Sequence, residues 1–131
     1  MASATPAPMI YVVDDDTDVL ESLRFLLETD GFDVRTFRNA AALLNGSAVS
    51  EADCFVIDYK MPAMSGIELA NCLRNRHFDT PIILITGYPD GNIEKKAATA
   101  GIRHVLLKPY LEENLVGRIR GAIQEGPAAG R

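Results

Sequence analysis

Five short apolar runs recur along the 131 residues: Met9–Val13, Val34–Phe37, Cys54–Ile57, Ile82–Ile85 and His104–Leu107. Each is followed by turn-forming or acidic residues, as strands buried on both faces would be. Helical patterns fill the intervals. Val19, Leu20, Leu23, Leu26 and Leu27 mark one face of a helix that Gly31 stops. Asn39 suits the cap of a short helix over Ala40–Leu44. Ser65-Gly66-Ile67-Glu68 has the form of a capping box, opening a helix through about Arg74. A weaker helix spans about Asn92–Ala100 and ends at Gly101. The last runs from about Glu112 to Gln124, with Leu115, Ile119 and Ile123 on one face. Strands that alternate with helices in this way predict a parallel sheet covered on both faces, joined by right-handed crossovers. In open sheets of that kind, the functional site lies beyond the carboxyl ends of the strands.

Polar residues collect at that edge. Asp14 and Asp15 follow the first run, Asp58 the third, Thr86 the fourth and Lys108 the fifth. If the first and third strands are neighbours, the three carboxylates converge. Converging carboxylates repel, so they need a nearby cation or a raised pKa. Hard oxygen ligands at the rim of an open sheet suit Mg²⁺, which keeps positions free for water and phosphate oxygens. Lys108 adds a compact positive charge and Thr86 a hydroxyl donor. A carboxylate in such company can act as a nucleophile towards phosphorus. Its positive and hydrogen-bonding neighbours would stabilise the charge on the transferring oxygens.

Composition narrows the alternatives. The chain is the size of one domain, and its 47% hydrophobic content is enough for a sizeable core. A net charge of −5 without any Lys/Arg-rich run argues against direct binding of nucleic acid. No apolar run reaches the ~18 residues of a membrane span. The N-terminus lacks a basic stretch followed by an apolar one, so a cytoplasmic location is expected. Cys54 and Cys72 form no C-x-x-C pair and read as buried free thiols. Residues 1–8, small and Pro-rich, read as a disordered lead-in. Residues 125–131 read as a flexible tail, leaving residues 9–124 as the folded domain.

The motifs together resemble the receiver domain of two-component response regulators, over about residues 9–124. They are Val12-Val13-Asp14-Asp15-Asp16, then Val56 through Gly66 (VIDYKMPAMSG), then Ile83-Leu84-Ile85-Thr86-Gly87, then Leu107-Lys108-Pro109-Tyr110. The second and third segments look most like receivers attached to LuxR-type DNA-binding domains. The resemblance implies a doubly wound α/β fold, (βα)5, with flavodoxin-like strand order 2-1-3-4-5. It implies Asp58 as phosphoacceptor, Asp15 as a direct Mg²⁺ ligand and Asp14 as holder of a metal-bound water or an aid to the metal. The Lys60 backbone carbonyl would complete the metal site. Lys108 would bridge to phosphoryl oxygens, and Thr86 would move inward to bond the phosphoryl group. The Lys108-Pro109 peptide would be cis. A histidine kinase or histidine phosphotransfer protein would be the donor. The face of the fourth helix, fifth strand and fifth helix would carry the output, with a homodimer as one form of it. Such a domain assists its own phosphorylation and dephosphorylation without being an enzyme in the ordinary sense. Tyr88 and Lys60 occupy positions that tune dephosphorylation in the family. The chain departs from the pattern at Val105, where the family's switch usually has an aromatic residue.

Other readings stay open on sequence alone. Asp16 suits a helix cap as well as a metal site. Asp14-Asp15-Asp16 after a strand also fits the start of a haloacid-dehalogenase-type phosphatase with Asp14 as nucleophile, although Asp18 departs from that pattern. A docking module that works without phosphorylation is a third reading, supported by Val105 alone. His77, His104 and Tyr110 read as solvated or packed side chains. The sequence suits a stand-alone receiver or a piece of a larger regulator equally.

Overall fold

A computed structural model describes residues 6–46, 48–87, 91–108 and 111–126. Its strands are β1 (Met9–Val13), β2 (Asp33–Phe37), β3 (Cys54–Asp58), β4 (Ile82–Thr86) and β5 (His104–Leu107). Its helices are α1 (Thr17–Thr29), α2 (Ala40–Leu44), α3 (Gly66–Asn75), α4 (Gly91–Thr99) and α5 (Leu111–Glu125). The elements alternate as the periodicity predicts; β1, α2 and β5 have the expected bounds, and β2, β3 and β4 differ by one residue at one end. A turn of 3-10 helix, Val49–Glu51, precedes β3 and had no counterpart in the pattern. All the strands are parallel, in the order β2-β1-β3-β4-β5.

Side chains leave a strand on alternating faces, and here each face builds its own core. Tyr11, Val13, Phe55, Ile57, Ile82 and Leu84 pack with α2, α3 and α4 through Leu43, Leu69, Leu73, Ile93 and Ala97. Ile10, Val12, Cys54, Val56, Ile83, Ile85 and Leu106 pack with α1 and α5 through Leu20, Leu23, Leu27, Leu115 and Ile119. The central strands β3 and β4 are buried along their whole length, so their continuous apolar runs follow from burial on both sides.

Helix ends follow local chemistry. Asn39 accepts from the Ala42 amide at 2.7 Å to start α2. Ser65 and Glu68 form both halves of the capping box at 3.2 and 2.8 Å. Gly31, at φ +97, turns the chain out of α1 in a conformation costly for other residues. At the start of the sheet, the Pro8 carbonyl accepts from the Asp33 amide at 3.0 Å. Residues 1–5, 127–131, Tyr88, Pro109 and Tyr110 lie outside the described residues, and with them most of the lead-in, most of the tail and the cis peptide.

Candidate phosphoacceptor site

The order of the sheet brings β1 and β3 side by side, so the condition for convergence is met. The ladders continue slightly past the strands and hold the site's backbone. Asp14 donates its amide to the Phe37 carbonyl at 3.1 Å, and Tyr59 donates to Ile85 at 2.8 Å. The Lys108 amide donates to the Thr86 carbonyl at 2.9 Å. These bonds fix where Asp14, Asp58, Thr86 and Lys108 begin, independently of their side chains.

Asp14, Asp58 and Thr86 are the buried polar or charged residues of the described chain, at 1%, 4% and 2% exposure. All three stand at one edge of the sheet. Burying polar groups is costly unless they are partnered, so this concentration marks the place where the fold accepts that cost. Asp14, Asp15 and Asp58 each present a carboxylate oxygen, and these oxygens lie within 4.8 Å of one another. Asp15 is exposed and the other two are not.

Lys108 reaches over the pair. Its Nζ is 3.1 Å from Asp58 Oδ1 and 3.5 Å from Asp14 Oδ2. One ammonium against three carboxylates leaves a negative excess. Burial pushes the Asp58 carboxyl up to about 6; repulsion from Asp14 adds to this and Lys108 opposes it. Asp14 is also raised, chiefly by burial, against the Asp16 amide and Lys108. For Lys108, burial works to lower the pKa, but the attraction of Asp14 and Asp58 prevails and raises it.

The two oxygens of Asp14 differ. Oδ1 accepts from the Asp16 amide at 2.9 Å. Oδ2 is buried without a hydrogen-bond partner, with only the ammonium in ion-pair range. A buried carboxylate with one unpartnered oxygen, clustered with two further carboxylates, is what a hard divalent cation satisfies. The residues present therefore fit Mg²⁺, with Asp14, Asp15 and Asp58 as candidate holders.

Asp16 resolves towards the cap. It is the N-cap of α1, and its side chain accepts from Asp18 N at 2.9 Å and Val19 N at 3.4 Å. Lys60 lies in the loop leaving β3, two positions after Asp58. Val105 sits half-buried on β5 and packs against the core face that α4 covers. His104 is not near the acids; its Nε2 meets Glu125 Oε1 at 3.3 Å. Both cysteines are free thiols. Cys54 is buried as expected, its pKa pushed up to about 12 by burial and by Asp53; Cys72 is only half-buried.

Arg74 escaped the sequence reading. Its guanidinium donates to the carbonyls of Phe78 and Thr80 at 2.8 Å each, of Ala100 at 3.2 Å and of Gly101 at 3.0 Å. Four carbonyl partners scattered over two loops leave no spacing signal in a sequence.

Comparison with known proteins agrees with this architecture. The profile of the response regulator receiver domain matches residues 10–120. Response regulator protein TodT of Pseudomonas putida is 38% identical over 121 residues, covering 92% of this chain and 53% of TodT. Transcriptional regulatory protein FixJ of Bradyrhizobium diazoefficiens is 36% identical over 121 residues, covering 92% and 59%. The chain thus spans little more than half the length of these relatives. Among solved structures, a receiver domain protein from Clostridium thermocellum superposes with a TM-score of 0.83 at 28% identity, covering 90% of this chain and 95% of that one. The response regulator StyR also superposes with a TM-score of 0.83, at 39% identity, covering 91% and 60%.

Proposed function

The chain belongs to the response regulator receiver domain family, the receivers of phosphorylation-based two-component signalling, and from that premise we propose that it is a phosphoaspartate switch with Asp58 as phosphoacceptor. The observation that carries the assignment is the convergence of Asp14, Asp15 and Asp58 within 4.8 Å, with the Lys108 ammonium 3.1 Å from Asp58. Asp58 is the acid on the central strand β3, and both the other acids and the ammonium surround it.

In the proposed reaction, the ionised Asp58 carboxylate attacks the phosphorus of a phosphohistidine on a histidine kinase or phosphotransfer protein. A bond forms between an Asp58 Oδ and phosphorus as the bond from phosphorus to the histidine nitrogen breaks. The imidazole leaves with the electron pair. Asp14, Asp15, Asp58 and the Lys60 carbonyl would hold Mg²⁺, which would supply positive charge for the phosphoryl oxygens. Lys108 contributes a second positive charge, its Nζ 3.1 Å from Asp58 Oδ1. It exchanges its contact with the carboxylate for one with a phosphoryl oxygen. Thr86, buried at the end of the neighbouring strand, offers its hydroxyl to the phosphoryl group and turns inward to do so. Hydrolysis of the acyl phosphate resets the switch, with Lys60 and Tyr88 setting water access.

Output is assigned to the face of α4, β5 and α5. A groove of about 590 Å³ lies there, lined by Glu94, Ala98, Ile102, Arg103, Val105 and Arg118 among others. Homodimerisation is one use of this face. Val105 has no ring to swing, so the change reaches the face through β5 and α4 themselves. No described helix is long and apolar enough to cross a membrane, and the proposed setting is the cytoplasm, with residues 9–124 as the working unit.

The test is intact-mass analysis after incubation with acetyl phosphate or phosphoramidate, with Mg²⁺ or EDTA, on wild type and Asp58→Asn. One phosphoryl adduct should form, only with Mg²⁺ and only in wild type. An adduct that survives Asp58→Asn would move the acceptor elsewhere, with Asp14 next in line.

A further inference from the structure

Gly66 begins α3 directly against the backbone of Asp58. A Cβ placed on Gly66 would press on the Asp58 carbonyl oxygen, far inside van der Waals contact. It would also stand 2.8 Å from Leu84 Cδ1 and 3.0 Å from Ile57 Cγ2. A flexible side chain could give way, but the Asp58 carbonyl cannot do so freely. Asp58 is the last residue of β3, in register with Ile85 of β4, and the next amide is bonded to that same Ile85. Gly66 does not have a positive φ; the glycine is required by close approach, not by torsion.

The same residue closes the loop that leaves β3. Its amide donates to the Tyr59 carbonyl at 2.8 Å. Inside the loop, the Met64 amide donates to Pro62 at 2.7 Å, and Ala63 is held at φ 70, where a side chain is disfavoured. The capping box joins Ser65, just before Gly66, to Glu68, just beyond it. The loop therefore has both ends tied at Gly66: one to the strand end and one to α3.

We infer that Gly66 is a positioning residue for phosphoryl transfer, a clasp that seats the first turn of α3 on the Asp58–Tyr59 backbone and so sets the Asp58 carboxylate and the loop bearing the Lys60 carbonyl. The inference rests on the reading of Asp58 as phosphoacceptor. Any Cβ at this position moves either the strand end or the helix, and the acids no longer share one set of oxygen positions.

The experiment compares Gly66→Ala with Gly101→Ala. Gly101, at φ +77 and packed on Arg74, is a glycine whose replacement costs stability far from the acids. Three quantities are read at equal intervals below each melting temperature. They are the amide chemical shifts of Asp58 to Lys60 in metal-free protein, the Mg²⁺ affinity by calorimetry, and the rate of adduct formation from phosphoramidate. Gly66→Ala should shift those amides and weaken Mg²⁺ by about 10- to 100-fold, as loss of an outer-shell support does, with slower adduct formation at saturating Mg²⁺. Gly101→Ala should leave all three near wild type. Equal behaviour of the two variants would overturn the inference and leave Gly66 a stabilising residue only. Wild-type hydrogen exchange adds a reading free of substitutions: the Gly66 amide should exchange as slowly as the β3 amides, and loop-like exchange would also overturn the inference. Failure of the phosphoacceptor reading would look different. Wild type itself would form no adduct, while the amide and Mg²⁺ effects of Gly66→Ala would persist.

Discussion

Asp58 is held between burial and Asp14, which push its carboxyl up to about 6, and Lys108, which opposes them. An ordinary aspartate titrates near 3.8. Between those values the folded, metal-free protein keeps a proton that the unfolded chain has released. The contribution of Asp58 to stability must therefore fall as pH rises from 3.8 to about 6. Asp14, also raised, adds with the same sign. Urea midpoints measured in EDTA should show this fall, and Asp58→Asn should remove most of it. At neutral pH that variant should be more stable than wild type by on the order of 2 kcal/mol, since it removes a repelled buried charge. A wild-type midpoint that stays level over the window would contradict the electrostatic picture of the site. Lys108 and Thr86 act later. Lys108→Ala should still bind Mg²⁺ but respond poorly to phosphorylation. Thr86→Ala should accept the phosphoryl group yet fail to pass it on as a conformational change. Adduct mass and amide chemical shifts, recorded on the same sample, separate the two. Wild-type behaviour in both readouts would remove the role assigned to that residue.

At the scale of elements, Arg74 ties the end of α3 to the loop before β4 and to the end of α4. It does so with one side chain and four carbonyls. Burial lowers its pKa, with Asp79 opposing, and it still serves as a charged donor. Arg74→Met would strand those carbonyls. The expected cost is about 2–4 kcal/mol, read by urea denaturation, with faster hydrogen exchange at Gly101 and Ile102. A loss below about 0.5 kcal/mol, typical of surface changes, would mean that water replaces the guanidinium. The packing explains why this hub exists. Ala97, Ala100 and Ile102 are buried, so the end of α4 lies on the core, and its Ala100 and Gly101 carbonyls accept from Arg74 there. A helix end buried there needs donors, and only a long side chain with several N–H groups reaches both loops at once.

Seen as one molecule, the chain keeps its stability and its chemistry in different places. Two apolar clusters, one on each face of the sheet, hold the fold together, while the acid cluster on the rim works against it. EDTA should therefore leave the protein folded. Mg²⁺ at about tenfold over its dissociation constant should add about 1.4 kcal/mol, seen as a rise of a few degrees in melting temperature. That rise should vanish in Asp58→Asn if Asp58 is a principal ligand; an undiminished rise would place the ion elsewhere. The same separation explains what the sequence makes legible. Strand and helix identities were legible because burial on both faces produces unbroken Val, Ile and Leu runs, as in Cys54–Ile57 and Ile82–Ile85. The helices announced themselves through the 3.6-residue spacing and the Ser65–Glu68 cap. The candidate site residues were legible because the strand ends of a parallel sheet must share one edge, which places Asp14, Asp58, Thr86 and Lys108 together whatever their sequence separation. Three-dimensional contact alone decided the rest. Asp16 became a cap because its side chain meets the Asp18 and Val19 amides, and Asp14 Oδ2 was left without a hydrogen bond because it is buried with the Lys108 ammonium no nearer than 3.5 Å. Arg74 became a hub through carbonyls that any residue type carries, and Gly66 became a clasp through the space that a missing Cβ leaves beside Asp58. Backbone partners and empty space have no residue type, so only the tertiary structure could reveal them.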